Sequence, residues 1–201
     1  MKDFFDRTEV LGVLQGFNPW WVGKTQALPE FRRLAFNICH QHLVDVSLRR
    51  AVLLSGPRRV GKTTILWQTA QHLIEKGRNP KSVFYLSLDH PILKLLPLSE
   101  ILRMYHETIH PEGREVVLLL DEVQYSADWD LQIKHLIDHK SEYRILATGS
   151  ASVTHREKLS ESGVGRWIQV PIPTLSFYEF LQVRREDTSQ IPDNLRPTDL
   201  F

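Results

Sequence analysis

Five short apolar runs punctuate the chain, at 51–55 (AVLLS), 82–88 (SVFYLSL), 115–120 (EVVLLL), 143–149 (YRILATG) and 166–172 (RWIQVPI). None shows a sustained apolar/polar alternation, and short continuous runs of this kind predict strands buried on both faces. The stretches between them carry apolar residues at helical spacing. Phe31, Leu34, Ala35, Ile38, Leu43 and Val46 predict a helix from Pro29 to about Leu48, with Pro29 tolerated in its first turn. Ile65, Leu66, Thr69, Ala70, Leu73 and Ile74 predict one over 62–76, stopped by Gly77. Further helices are expected from a Ser99 cap to Ile109, over 129–140, over 153–161, and beginning within 175–182. Ahead of these, Gly12, Gly16, Pro19 and Gly23 interrupt any sustained period, so residues 1–27 read as an irregular N-terminal segment. After Arg185 the chain turns polar, and 186–201 reads as a tail or a truncated linker.

Strands alternating with helices over 28–185 predict one α/β domain, a three-layer sandwich with a central five-stranded, mostly parallel sheet. Ligands of such sheets collect beyond the carboxyl ends of the strands. The first, third and fourth runs all end in residues with usable chemistry.

Composition narrows the setting. The 201 residues are 42% hydrophobic and 24% charged, with a net charge of +1, which leaves a nucleic-acid or protein client undecided. No apolar run approaches the ~20 residues of a membrane span, and MKDFFDRTEV lacks a signal-peptide pattern. A single cysteine, Cys39, excludes an internal disulfide and favours a reducing compartment, so a cytoplasmic protein without a membrane partner is expected. Cys39 itself falls in an apolar-periodic segment and is expected in the core. No histidine–cysteine spacing proposes zinc.

The stretch GPRRVGKTT, residues 56–64, contains the phosphate-loop pattern G-x-x-x-x-G-K-[S/T] between a strand and a helix. Gly56, Pro57, Arg58, Arg59, Val60, Gly61, Lys62, Thr63 and Thr64 are therefore the expected nucleotide-binding stretch. Backbone N–H groups would face the phosphates, Lys62 would reach the β- and γ-phosphates, and the Thr63 hydroxyl would ligate Mg2+. The same letters V-G-K-T also occur at 22–25, but Asn18 stands where the first glycine should be, and no strand leads in. That copy is a coincidence.

Asp121 and Glu122 follow the third run, where P-loop enzymes hold Mg2+ and activate water; Asp121 suits the first task and Glu122 the second. Thr148 or Ser150, after the fourth run, offers a hydroxyl near the γ-phosphate or the water, or simply a strand-end turn. Arg166 is the first candidate to neutralise developing charge, in trans from a neighbouring subunit or in cis as a sensor, with a solvated surface arginine as the alternative. Arg58 and Arg59 are expected to be exposed or to contact neighbouring segments. Asp89 and His90 end the second run, with a turn role for Asp89.

LLSGPRRVGKTT, VVLLLDEVQ, ILATGSAS and GRWIQVPIPTLSFYEFL together resemble the prokaryotic AAA-type ATPases related to signal-transduction ATPases, over roughly residues 17–183. The resemblance implies binding and hydrolysis of ATP with Mg2+, carried by Gly56, Gly61, Lys62, Thr63, Asp121 and Glu122. It also implies a following winged-helix-like region and a restriction-endonuclease-like domain; the sequence stops before either, so either the protein is C-terminally shortened or this sequence is part of a longer one. Such proteins bring the segment before the first helix near the adenine, which offers Trp20 or Trp21 as a pocket wall; packing of both onto the core is the plainer expectation. The catalytic set is then Lys62, Glu122, Arg166 and Thr148, and the metal set Thr63 and Asp121. An ATPase, a homo-oligomer if Arg166 acts in trans, is the leading expectation. A nucleotide-operated binding switch with negligible turnover, and a small-molecule kinase, are the alternatives.

Overall fold

The computed structural model describes residues 6–45, 47, 49–150 and 165–196. Five strands, β1 (Ala51–Ser55), β2 (Val83–Ser87), β3 (Val116–Asp121), β4 (Tyr143–Gly149) and β5 (Trp167–Pro171), form one sheet in the order β2-β3-β4-β1-β5. Every neighbouring pair is parallel, so the sheet is parallel throughout. All residues of β1, β2 and β3 are buried, as their unbroken apolar runs require.

Side chains alternate between two cores. Val52 and Leu54 point to the same core as α2 (Leu34–Val44) and α3 (Lys62–Glu75). Leu53, Leu118 and Leu120 point to the opposite core, which α4 (Leu98–Thr108) and α5 (Trp129–His139) close. The three-layer sandwich of a P-loop NTPase results. A last helix, α6 (Phe177–Arg184), opens on a capping box in which Ser176 and Glu179 satisfy each other's backbone N–H. Beyond it, Arg196 folds back over the Tyr178 ring.

The structure departs from the sequence pattern in three instructive places. The segment expected to be irregular contains a helix, α1 (Arg7–Phe17), capped by Asp6. Its Gly12 and Gly16 are four residues apart and exposed, while Val10 and Leu14 are buried, so burial outweighs the glycine penalty. Helix α2 begins at Leu34 rather than Pro29, because the Pro29 and Phe31 carbonyls accept the Gln68 side chain (2.8 and 2.9 Å). Ser99 does not cap α4: Leu98 already opens it, and its N–H donates to the Gln132 amide of α5 (2.9 Å). The helix expected over 153–161 lies outside the described residues.

After α1, Asn18-Pro19-Trp20-Trp21 covers the exposed edge of β2. The Asn18 side chain accepts from Tyr85 N–H (2.7 Å) and donates to the Tyr85 carbonyl (2.8 Å). Both indole N–H groups donate to the Val83 carbonyl, each at 2.9 Å. Three side chains thus do what a sixth strand would do, and the open edge is sealed. Cys39 sits in the α2–α3 core, where burial pushes its thiol up to about 12, and it is a packing residue.

Candidate functional site

The topology brings three strand ends side by side. β4 lies between β3 and β1, so the loop after β1 faces the carboxylates after β3 across the end of β4. Gly56 opens the loop because of close approach: a Cβ there would stand 2.2 Å from the Ile172 carbonyl oxygen. Gly61 closes it at φ +97°, a left-handed conformation that becomes the N-cap of α3. Lys62 is only 5% exposed, and its ammonium donates to the carbonyls of Gly56 (3.0 Å) and Pro57 (2.9 Å), folding back over the loop it terminates. Arg58 and Arg59 are exposed, and Arg58 approaches the Tyr125 hydroxyl at 3.5 Å.

Asp121, 3% exposed, is the hub of the site. Its carboxylate accepts from the hydroxyls of Thr63 (2.7 Å), Tyr85 (3.0 Å) and Thr148. Thr148 in turn accepts the Glu122 N–H (3.0 Å). Its hydroxyl thus bridges the two acidic residues. Glu122 adopts φ +54°, ψ +50°, a left-handed conformation costing an ordinary residue of order 1 kcal/mol. The bond to Thr148 and the turn from Tyr125 N–H to the Glu122 carbonyl (3.1 Å) hold it there. Gln124 donates to the Glu122 carboxylate, and its other amide atom lies 3.4 Å from Ser150 N.

Tyr85 was invisible as a site residue because its strand reads as plain core. Burial, then the adjacent Asp121 charge, push its phenol well up, so the hydroxyl stays a donor. Asp89 does make a turn, accepting from Ser87 Oγ at 2.6 Å, and His90 packs against Phe17. Arg166 lies elsewhere. Its carbonyl accepts from Ala51 N–H at the amino end of β1, and its guanidinium pairs with Asp138 (2.8 Å). That is one strand length from the loop, roughly 16 Å at ~3.3 Å per residue.

A cavity of about 620 Å³ adjoins the loop at Val60, Gly61 and Thr64. Its apolar lining includes Phe31, Ile65, Leu175 and Val183. Trp20 and Trp21 do not line it and pack onto the core, the plainer of the two expectations for them, while Pro29 to Phe31 do line it. Behind the cavity lies a buried ion pair the sequence did not announce. Arg33 (7% exposed) meets both carboxylate oxygens of Glu179 (5% exposed), at 2.8 and 2.7 Å. Burial pushes the Glu179 carboxyl up, but hydrogen bonds from Arg33 and Ser176 outweigh that and hold it below its usual range. The Ser176-x-x-Glu179 spacing is a readable capping box; the partner 146 residues away is not.

Among the described residues, no group of three or more His, Cys, Asp or Glu side chains is arranged to hold a metal. No helix there is long and apolar enough to cross a membrane.

Comparison with known proteins agrees with this geometry. A family model described as an AAA domain matches residues 48–181. An uncharacterized protein of Methanocaldococcus jannaschii is 32% identical over 161 residues, covering 78% of this chain and 33% of its own length. One of Haemophilus influenzae is 26% identical over 147 residues, covering 71% and 36%. The chain thus spans about a third of the length of these curated relatives. Among solved structures, AMPPCP-bound DnaA from Aquifex aeolicus superimposes with a TM-score of 0.53 at 18% identity, covering 89% of this chain and 58% of that one. The parallel sheet, the loop between β1 and α3 and the matched span together place this chain in the AAA domain family.

Proposed function

We propose that the chain binds ATP and hydrolyses it by attack of a water that Glu122 activates. The observation that carries this reading is the hydroxyl–carboxylate cluster: Thr63, at the start of the loop helix, lies 2.7 Å from Asp121, next in sequence to Glu122. The oxygens of Thr63 and Asp121 form a hard donor pair suited to Mg2+, which completes its shell with phosphate and water oxygens. When bound, the ion would neutralise charge on the β- and γ-phosphates.

The protein's own groups do the rest. Loop N–H groups and the α3 N-terminus face the phosphates. Lys62 uses two of its three donors on loop carbonyls, and turning towards an anion replaces these neutral bonds with charge-assisted ones. The cavity beside Gly61 suits a nucleoside in size and apolar lining. That DnaA is seen with AMPPCP supports reading the same fold position here as a nucleotide site. Glu122 accepts the water's proton on its carboxylate, Thr148 fixes its backbone, and Gln124 orients its side chain. The position of Arg166, at the amino end of β1 and so at the opposite end of the sheet from its own loop, supports a role towards a neighbouring subunit in a homo-oligomer.

The test is phosphate release by the parent and by Glu122→Gln, with ATP binding followed in parallel. Glu122→Gln should bind ATP within about twofold of the parent while turnover falls about 10²–10⁴-fold, the usual weight of a general base. Turnover at the parent rate would remove Glu122 from the mechanism. A parent that binds ATP without releasing phosphate above a Lys62→Ala control would instead be a nucleotide-operated switch.

A further inference from the structure

We infer that Arg33 and Glu179 are positioning residues for the nucleoside half of the bound nucleotide, setting the wall of the cavity beside the loop. This rests on the reading of that cavity as a nucleotide site.

The guanidinium uses all five of its N–H donors. Beyond its fork on Glu179, it donates to the Val60 carbonyl in the loop (3.0 Å), and to the carbonyls of Pro173 (2.9 Å) and Thr174 (3.3 Å) in the connection from β5 to α6. Glu179 Oε2 also accepts Ser176 N–H (3.0 Å) at the mouth of α6. One buried cation therefore joins three segments distant in sequence: the stretch before α2, the phosphate loop and the start of α6. All three segments contribute residues to the cavity lining, together with Thr64, Ile65 and Gln68 of α3 and the far end of α6.

Stability alone does not explain the arrangement. A buried ion pair is often no better than an apolar replacement of equal volume, because desolvation offsets the attraction. What it supplies is directional constraint: the fork admits one relative placement of the two segments it bridges. Among the described residues, the other polar tie across the cavity is the ion pair Arg185–Glu30 (2.9 Å), which is fully solvated and therefore weak. Helix α6 is eight residues long, and Phe177, Phe180 and Val183 on it are largely exposed. The buried clasp is what holds Leu175 and the start of α6 to the stretch that carries Phe31, and both residues line the cavity.

The experiment compares two ligands that share only the phosphate end. ATP and inorganic tripolyphosphate compete against a fluorescent ATP analogue on the parent, on Glu179→Gln and on Arg33→Lys, after thermal melts show each variant folded. Both variants keep hydrogen-bonding groups, but one loses the charge and the other the fork. The expected result is an ATP affinity about tenfold weaker in each variant, with tripolyphosphate within twofold of the parent. Equal loss for both ligands in a folded variant would mean the clasp serves the loop or the fold, and would overturn the inference; so would ATP affinity unchanged in either variant. A parent that binds neither ligand would overturn the nucleotide reading itself, a result distinct from the others.

Discussion

The tetrapeptide Val-Gly-Lys-Thr occurs at residues 22–25 and again at 60–63, and the two copies share even their backbone twist: Gly23 and Gly61 both take positive φ, +72° and +97°. Everything else differs. In the first, Gly23 ends a 3-10 turn, with its N–H on the Trp20 carbonyl; Val22 is 62% exposed and Lys24 is exposed. In the second, Gly61 begins α3, Val60 is 8% exposed and Lys62 5%, and the lysine folds over a loop that leaves a buried strand. The first copy follows a helix and a segment that seals a sheet edge; the second follows the strand at the centre of the site. The same letters make a solvated turn in one place and the proposed phosphate loop in the other because the preceding element decides whether the loop is held against a helix N-terminus.

The sharpest way to break this comparison is to remove each lysine. Lys62→Ala should weaken ATP binding about a hundredfold, as expected if charge-assisted hydrogen bonds of about 1.5–3 kcal/mol are lost. Lys24→Ala should leave affinity within about twofold. Titration of a fluorescent ATP analogue measures both. Comparable losses in the two variants would show that the first copy also touches the nucleotide.

Much of this was readable in advance, for reasons that particular residues make clear. Buried parallel strands leave unbroken apolar runs, so all five strands fall within about a residue of their runs. The loop and Asp121-Glu122 are local spellings attached to those strands, and local spellings survive in sequence. What the chain concealed is what depends on tertiary partners. Arg33 reads as one more polar residue of a helix, yet it stands at the N-cap of α2 because Glu179 claims its guanidinium. Tyr85 reads as core, and only the adjacency of β2 and β3 brings its hydroxyl to Asp121. Gly56 reads as a flexible loop glycine, whereas its requirement is space against Ile172. Helix α1 was hidden by Gly12 and Gly16, since a propensity argument cannot see that both face solvent.

Glycines upstream of each copy sharpen the contrast by a smaller margin. Gly56→Ala forces a Cβ to 2.2 Å from the Ile172 carbonyl oxygen, an overpacking that should cost about 1–3 kcal/mol. Gly12→Ala meets nothing within 4 Å on an exposed helix face and should stabilise by up to about 1 kcal/mol. Melts should therefore shift in opposite directions, by about 2–4 °C per kcal/mol for a chain of this size. A destabilised Gly12→Ala would mean that the exposed face of α1 is covered.

The smallest effect concerns the aromatics ahead of the first copy. Trp20 and Trp21 donate to a single acceptor, the carbonyl of fully buried Val83. Replacing either indole by phenyl leaves the other bond in place, so neither Trp20→Phe nor Trp21→Phe orphans that oxygen. Beyond lost packing, each should cost no more than the net value of one hydrogen bond, about 0.5–1.5 kcal/mol. The double variant removes both donors and leaves an unsatisfied buried carbonyl, a penalty that neither single variant incurs. The pair should therefore be non-additive, with a coupling of about 1 kcal/mol in urea unfolding, and ATP affinity should not move. Additive losses would show that water or a backbone donor takes the indoles' place, making the edge seal a matter of packing. A fall in ATP affinity in the double variant would instead tie the first copy's surroundings to the nucleotide, because Trp20 packs on Trp67 of α3 at 5.3 Å between ring centres.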